Sequence, residues 1–181
     1  MEFHNRILNK DIGLLFIDDF NLYNWDDLSK IKNIYKSLFF KGSTLFFSFR
    51  REEDLTDEKE LKKLKTKILD IFNSEGEYIV LRKLDDKRFD SIARIVVNEN
   101  TYNFLFDLWN YFYSCSIFIP NKDFTFSDYI NFYKKNKFED KGNEKLLSNY
   151  FTDFTCIKGL GGDNMIISHR SNYDLSKFIS I

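Results

Sequence analysis

Imidazole and thiol groups are scarce in this chain, with two histidines and two cysteines among 181 residues. A zinc or redox centre needs such ligands at close spacing, as in Cys-x-x-Cys or His-x-x-x-His. Here His4 and His169 stand near opposite ends, while Cys115 and Cys156 are isolated in separate apolar segments. Both cysteines therefore read as small buried hydrophobes, and no metal ligand set is assigned. Nucleophilic catalysis by a Ser, His and Asp set depends on partners that can be distant in sequence, so residue order alone does not decide it. His169 lies in the alternating segment Ile167-Ser168-His169-Arg170 and reads as a strand residue, and His4 lies in a polar N-terminal segment.

Phosphate chemistry has two candidate stretches, and each has a plainer reading. Gly159-Leu160-Gly161-Gly162-Asp163-Asn164 is glycine-rich, as loops that bring backbone amides to an anion are. It lacks the Lys-Ser/Thr of a P-loop and is followed by a strand pattern, which predicts a turn between two strands. Glu60-Leu61-Lys62 has the letters of a nuclease metal motif but falls inside a helical pattern. Lys59, Lys62, Lys63, Lys65 and Lys67 make a basic face on that same helix, with no aromatic residue between them to stack a base. No catalytic residue and no cofactor are assigned.

One cluster remains. Asp11, Asp18, Asp19, Asp26 and Asp27 lie between Lys10 and Lys30 without an intervening Lys or Arg, a local net charge of −5, beside Phe16, Phe20, Tyr23 and Trp25. Asp26 and Asp27 also suit the first turn of a helix, where carboxylates meet the positive end of the dipole. Asp18, Asp19, Tyr23, Trp25, Asp26 and Asp27 are the candidate partner-binding residues. Charge would steer a basic partner and rings would supply affinity. The competing uses are helix capping with a polar loop, or a divalent cation held by paired carboxylates in a metal-dependent nuclease or hydrolase.

The elements that must position this cluster follow from hydrophobic spacing. Residues 12–18 form a short apolar run suited to a buried strand. Asn24 caps the next helix with Asp27 as its box partner, Leu28, Ile31, Tyr35 and Leu38 repeat at helical spacing, and Gly42 marks the stop. A strand over 43–49 leads to an amphipathic helix from Thr56 through the stripe Leu61, Leu64, Ile68, Ile71 and Phe72. Residues 77–83 and 92–97 read as a hairpin. From Asn98 to Pro120 the pattern is helix then strand. That helix is apolar almost all round, with Trp109 near its centre, so it is either buried or the interface of an oligomeric adaptor. Thr125 with Asp128 opens another helix, residues 143–151 supply a short one, a hairpin spans Phe154 to His169, and a last helix falls near Tyr173 to Ile179. The expected fold is α/β or α+β: one domain over 1–181, with a mixed sheet of about five to seven strands and helices packed on it.

Composition bounds what such a domain does. Hydrophobic residues are 43% and charged residues 30%, ordinary for a globular chain. The 21 Phe and 10 Tyr stand against a single alanine, Ala93, and a single proline, Pro120, a bias that matches AT-rich coding as much as function. Formal charge is −1 and neither half of the chain is a basic arm, a balance that argues against a nucleic-acid binder. The N-terminus lacks a basic start followed by an apolar run of roughly 7 to 15 residues, and no stretch approaches the roughly 18 apolar residues of a membrane span. A cytoplasmic protein with no membrane partner is expected.

The segment Lys158-Gly159-Leu160-Gly161-Gly162-Asp163-Asn164-Met165-Ile166-Ile167-Ser168-His169-Arg170, followed by Tyr173-Asp174-Leu175, together with the whole profile, resembles the immunity proteins that bacteria encode beside contact-dependent growth inhibition and other polymorphic toxins. The resemblance implies a cytoplasmic, non-enzymatic protein that binds a cognate toxin domain and blocks its active site. Many such toxins are nucleases with basic clefts, which an aspartate patch would suit as a phosphate mimic. The near-neutral total charge departs from the more acidic members.

Overall fold

The computed structural model describes residues 1–21, 24–39, 42–51, 59, 63, 66, 70, 77–83, 88–103, 114–121, 123–138, 143–158 and 164–173. Among the described residues eight strands form one sheet: β1 (Glu2–Asn9), β2 (Ile12–Asp18), β3 (Thr44–Arg51), β4 (Glu77–Lys83), β5 (Arg88–Val96), β6 (Ser114–Pro120), β7 (Thr152–Lys158) and β8 (Met165–Arg170). Their order across the sheet is β1-β2-β8-β7-β6-β3-β5-β4, and every ladder is antiparallel. Helix α1 (Trp25–Leu38) joins β2 to β3, and α2 (Phe126–Tyr133), a π-helical turn (Lys134–Phe138) and α3 (Glu144–Leu147) lie between β6 and β7.

The α+β fold with helices packed on a sheet is the one that sequence spacing predicts, but the sheet is larger and its pairing different. It has eight strands where five to seven were expected, and it is antiparallel where a mixed sheet was expected. The connections explain the second difference. Strands β2 and β3, β3 and β4, and β5 and β6 run in the same direction and are joined by segments containing helical residues, as in a parallel sheet. In each case other strands stand between the two, so no parallel neighbours arise. The extra strand is β1, whose side chains from His4 to Ile7 are exposed on both faces. An edge strand that buries so little shows no apolar alternation, so its sequence looks like a polar terminus.

Both faces of the sheet are covered, which is why its central strands are nearly continuous apolar runs. Along β3, Leu45, Phe47 and Phe49 face one layer while Phe46 faces the other, since successive side chains alternate. The first layer is α1, contributing Ile31, Ile34, Tyr35 and Leu38, with Tyr102 from a helical segment beginning at residue 99. The second is α2 and α3, contributing Phe126, Tyr129, Tyr133, Leu146 and Leu147.

The local signals of these helices fall where expected, with two exceptions. At α2 the Thr125 side chain accepts from the Asp128 amide and Asp128 accepts from the Thr125 amide, a complete capping box. At α1 Asn24 accepts from the amides of Asp26 and Asp27, but Asp27 turns to the Asn21 amide, so the box is not reciprocal. Gly42 is not the helix stop: α1 ends at Leu38 with Phe39 extended, and Gly42, at φ +88°, turns the chain into β3. The apolar stripe from Leu61 to Phe72, the helix core around Trp109, the 159–163 turn and the helix expected near Tyr173 to Ile179 lie largely or wholly outside the described residues. Lys59, Lys63, Thr66 and Asp70 are helical and exposed.

Candidate functional site

The acidic corner is built where β2 ends and α1 begins. Strand β2 carries the chain out of the core to Asp18, which is half-buried, and Asp19 reverses it at φ 55°. A short polar side chain tolerates that left-handed conformation better than a branched one. Phe20, buried to 2%, then plugs the loop into the α1 layer of the core. Asn21 closes the turn, accepting from the Asn24 amide at 2.9 Å and donating its own amide to Asp27 Oδ2 at 2.8 Å.

From this anchored loop α1 presents Trp25, 76% exposed, followed by Asp26, also exposed. Asn24 Oδ1 takes the Asp26 amide at 2.9 Å, which satisfies one of the open donors of the first turn. The six candidate residues thus differ in availability. Asp19, Trp25 and Asp26 face solvent, Asp27 is engaged in holding the loop, Asp18 sits at the sheet margin, and Tyr23 lies outside the described residues. The sheet adds an acid that the sequence pattern did not bring to this corner. Glu2 pairs in register with Asp18 across β1 and β2, and its carboxylate is 3.3 Å from His4 Nε2. Only the pairing of an unforeseen strand places Glu2 there.

Three other places carry chemically capable groups. On the α2 face Ser48 and Ser116, opposite each other in the β3–β6 ladder, share a hydrogen bond, and the Tyr133 hydroxyl donates to Asp90 Oδ2 at 3.0 Å. Asp90 is fully buried and Ser48, Ser116, Tyr129 and Tyr133 are all at most 5% exposed. Burial raises the Tyr129 hydroxyl to about 12 and Tyr133 well above its ordinary value, the latter assisted by the nearby Asp90 charge. All five groups are buried, so the cluster reads as an internal polar network rather than a site for substrate. Its signal in the sequence was small: a serine inside Phe-Phe-Ser-Phe and an aspartate inside Phe-Asp-Ser.

His169 is buried in β8 with its ring laid over Gly13 of β2, directly opposite in register. A Cβ on Gly13 would come within 2.5 Å of His169 Cε1 and 2.6 Å of Nε2, which explains a glycine inside an apolar strand. Nδ1 is 2.7 Å from the Arg170 carbonyl and so donates to it, and among the described residues the buried Nε2 has no hydrogen-bond partner. The thiols are equally enclosed: burial pushes Cys115 up to about 12 and Cys156 further in the same direction.

A cleft of about 510 Å³ opens beside the start of α2, walled by Phe46, Ile119, Phe124 and Phe126, with Arg94 on one side. Its rim groups Asn121 and Thr125 are held internally, by the Tyr150 carbonyl at 2.8 Å and Asp128 at 2.6 Å. Among the described residues no three His, Cys, Asp or Glu side chains converge as a cation site requires, and no helix is long and apolar enough to cross a membrane.

Comparison of the chain with protein-family models, with curated proteins and with solved structures finds no match. Its function is therefore read from its own residues.

Proposed function

We propose that this chain is a non-enzymatic, cytoplasmic binding protein that neutralises a cognate bacterial toxin domain by covering its active site. The docking surface is the corner formed by Asp18, Asp19, Trp25, Asp26 and Asp27, which the sequence reading extends to Tyr23. The observation that carries this reading is Trp25: a tryptophan 76% exposed, on the first residue of a helix whose loop is anchored by Phe20 and Asp27, with exposed carboxylates at Asp26 beside it and at Asp19 in the preceding turn. Exposing an indole to water is unfavourable, and tryptophan is among the residues that dominate binding interfaces when a partner covers them. The surrounding acids select a basic partner and speed encounter. A nuclease domain with a phosphate-binding cleft has that chemistry.

The test is calorimetric titration with the product of the gene immediately upstream, since immunity genes follow their toxins. A complex is expected. Trp25→Ala should weaken it by roughly thirtyfold, the effect of an anchor worth about 2 kcal/mol. Charge reversal at Asp19 and Asp26 should slow association and flatten its salt dependence. Absence of a complex would remove the reading, and unchanged affinity in both variants would move the interface elsewhere. Titration with magnesium or manganese separates it from a hydrolase that uses the same aspartates: heat of cation binding at this corner would favour the enzyme.

A further inference from the structure

Strand β1 is one edge of the sheet, and among the described residues it pairs with β2 alone. Its residues from His4 to Ile7 are exposed on both faces, and Ile7 is 77% exposed. Free edges are normally guarded by lysine, proline or a bulge, because their unpaired amides and carbonyls template another strand. Residues 1–7 contain neither lysine nor proline, and the irregularity of β1 comes only after them, between Ile7 and Asn9. Among the described residues the regular part of the edge is therefore open.

Register on β2 sets the side-chain directions. Glu2, His4 and Arg6 stand opposite Asp18, Phe16 and Leu14 and share the α2 face, while Phe3, Asn5 and Ile7 stand opposite Ile17, Leu15 and Gly13 and share the α1 face. About His4 the segment Met1-Glu2-Phe3-His4-Asn5-Arg6-Ile7 is self-complementary at two of its three pairs, apolar Met1 with Ile7 and acidic Glu2 with basic Arg6, while Phe3 is set against Asn5.

We propose that β1 pairs antiparallel with β1 of a second copy of this chain, about a two-fold axis at His4, so that one sheet continues through both protomers. In that register Glu2 faces the partner's Arg6 and Arg6 faces the partner's Glu2. Ile7 lies against the partner's Met1, which covers the exposed isoleucine. Directly opposed opposite charges stabilise an antiparallel pair, and a two-fold interface makes each favourable pair twice. Moving the axis to Asn5 places His4 against the partner's Arg6 and Glu2 against the partner's Leu8, losing both ion pairs. Moving it to Phe3 places Glu2 against the partner's His4, again losing both ion pairs. The contact uses Glu2, which the ladder sets beside Asp18, but not Asp19, Trp25 or Asp26.

Sedimentation equilibrium of the full chain at pH 8 should show a reversible dimer of micromolar strength, as suits a small interface. Arg6→Glu or Glu2→Arg should each weaken it about tenfold, since each turns two attractive pairs repulsive. The exchange E2R/R6E should restore the wild-type constant to within about threefold, which neither altered net charge nor altered stability would do. Under oxidation H4C should cross-link and N5C should not, because opposed Cβ atoms lie about 5 Å apart, close to disulfide reach. The native thiols are buried and do not compete. A wild-type monomer at hundreds of micromolar, failure of the exchange to restore association, or cross-linking through N5C instead of H4C would each overturn the proposal.

Discussion

The two faces of the sheet are built by the same strands and buried equally well, yet they use different chemistry. Toward α1 the strands present Leu45, Ile95, Ile117, Cys156 and Ile167 with the ring pair Phe47 and Phe49, and they meet Ile31, Ile34, Tyr35 and Leu38 of the helix, so aliphatic groups and ring pairs alternate. Toward α2, Phe46 and Phe118 sit in a lattice of rings with Phe124, Phe126 and Tyr129, at centroid distances between 4.8 and 6.4 Å. Beside that lattice run the buried hydroxyls and carboxylate of Ser48, Ser116, Asp90 and Tyr133. The difference shows what lets polar groups into a core. They occur where the ladder places them opposite one another, as Ser48 and Ser116, or beneath a helix that brings a donor, as Tyr133 does to Asp90.

The largest expected effect breaks one face and spares the other. Phe46→Ala removes the ring that touches four others and should cost about 3–5 kcal/mol, with Phe47→Ala costing a similar amount on the opposite side. Hydrogen exchange sharpens the contrast. The Phe46 variant should lose protection first in α2, and the Phe47 variant first in α1. Equal loss in both helices from either variant would mean that the layers open as a single unit and the two faces are not energetically distinct.

Sequence spacing recovers the layered elements because each has a strong local cause. The run from Ile12 to Asp18, the caps Asn24 and Thr125, and the hairpin from β7 to β8 are set by burial, hydrogen bonding or turn chemistry within a few residues. What spacing cannot carry is long-range pairing. Strand β1 is defined by its partner rather than its own pattern, so Glu2 joins the acidic corner only once the ladder is known. The Asp90 network likewise depends on Tyr133, which is 43 residues away. Within the corner, the exposure of Trp25 and the engagement of Asp27 with Asn21 are properties of the folded loop, since identical letters would serve a cap or a docking surface.

A middle-sized effect concerns the exception on the α1 face, the imidazole of His169 above Gly13. Gly13→Ala should destabilise by about 1–3 kcal/mol in urea unfolding, because the new methyl overlaps a ring held by its bond to the Arg170 carbonyl. In a His169→Ala background the same substitution should cost much less, giving a clear coupling in the double-mutant cycle. Simple additivity would show that the strand rejects any side chain at position 13 for backbone reasons, and that the histidine only fills the space.

The smallest effects separate the caps of the two layers by pH. Thr125 holds the Asp128 carboxyl below its ordinary value through its hydroxyl first and its amide second. A depressed folded value means that the box adds stability above the unfolded value, near pH 4, and loses that contribution as the pH falls through the folded value. Thr125→Ala should cost about 1 kcal/mol at pH 7, with Asp128→Asn costing less. For both, the difference from wild type should shrink as melting is followed below about pH 4. At α1 the cap acceptor is the side-chain amide oxygen of Asn24, which does not titrate, while the Asn21 amide donates separately to Asp27. Asn24→Ala should therefore lose about the same 1 kcal/mol at every pH. A shared acid dependence would mean that Asp27 and Asn24 act as one unit, and that α1 has a working capping box after all.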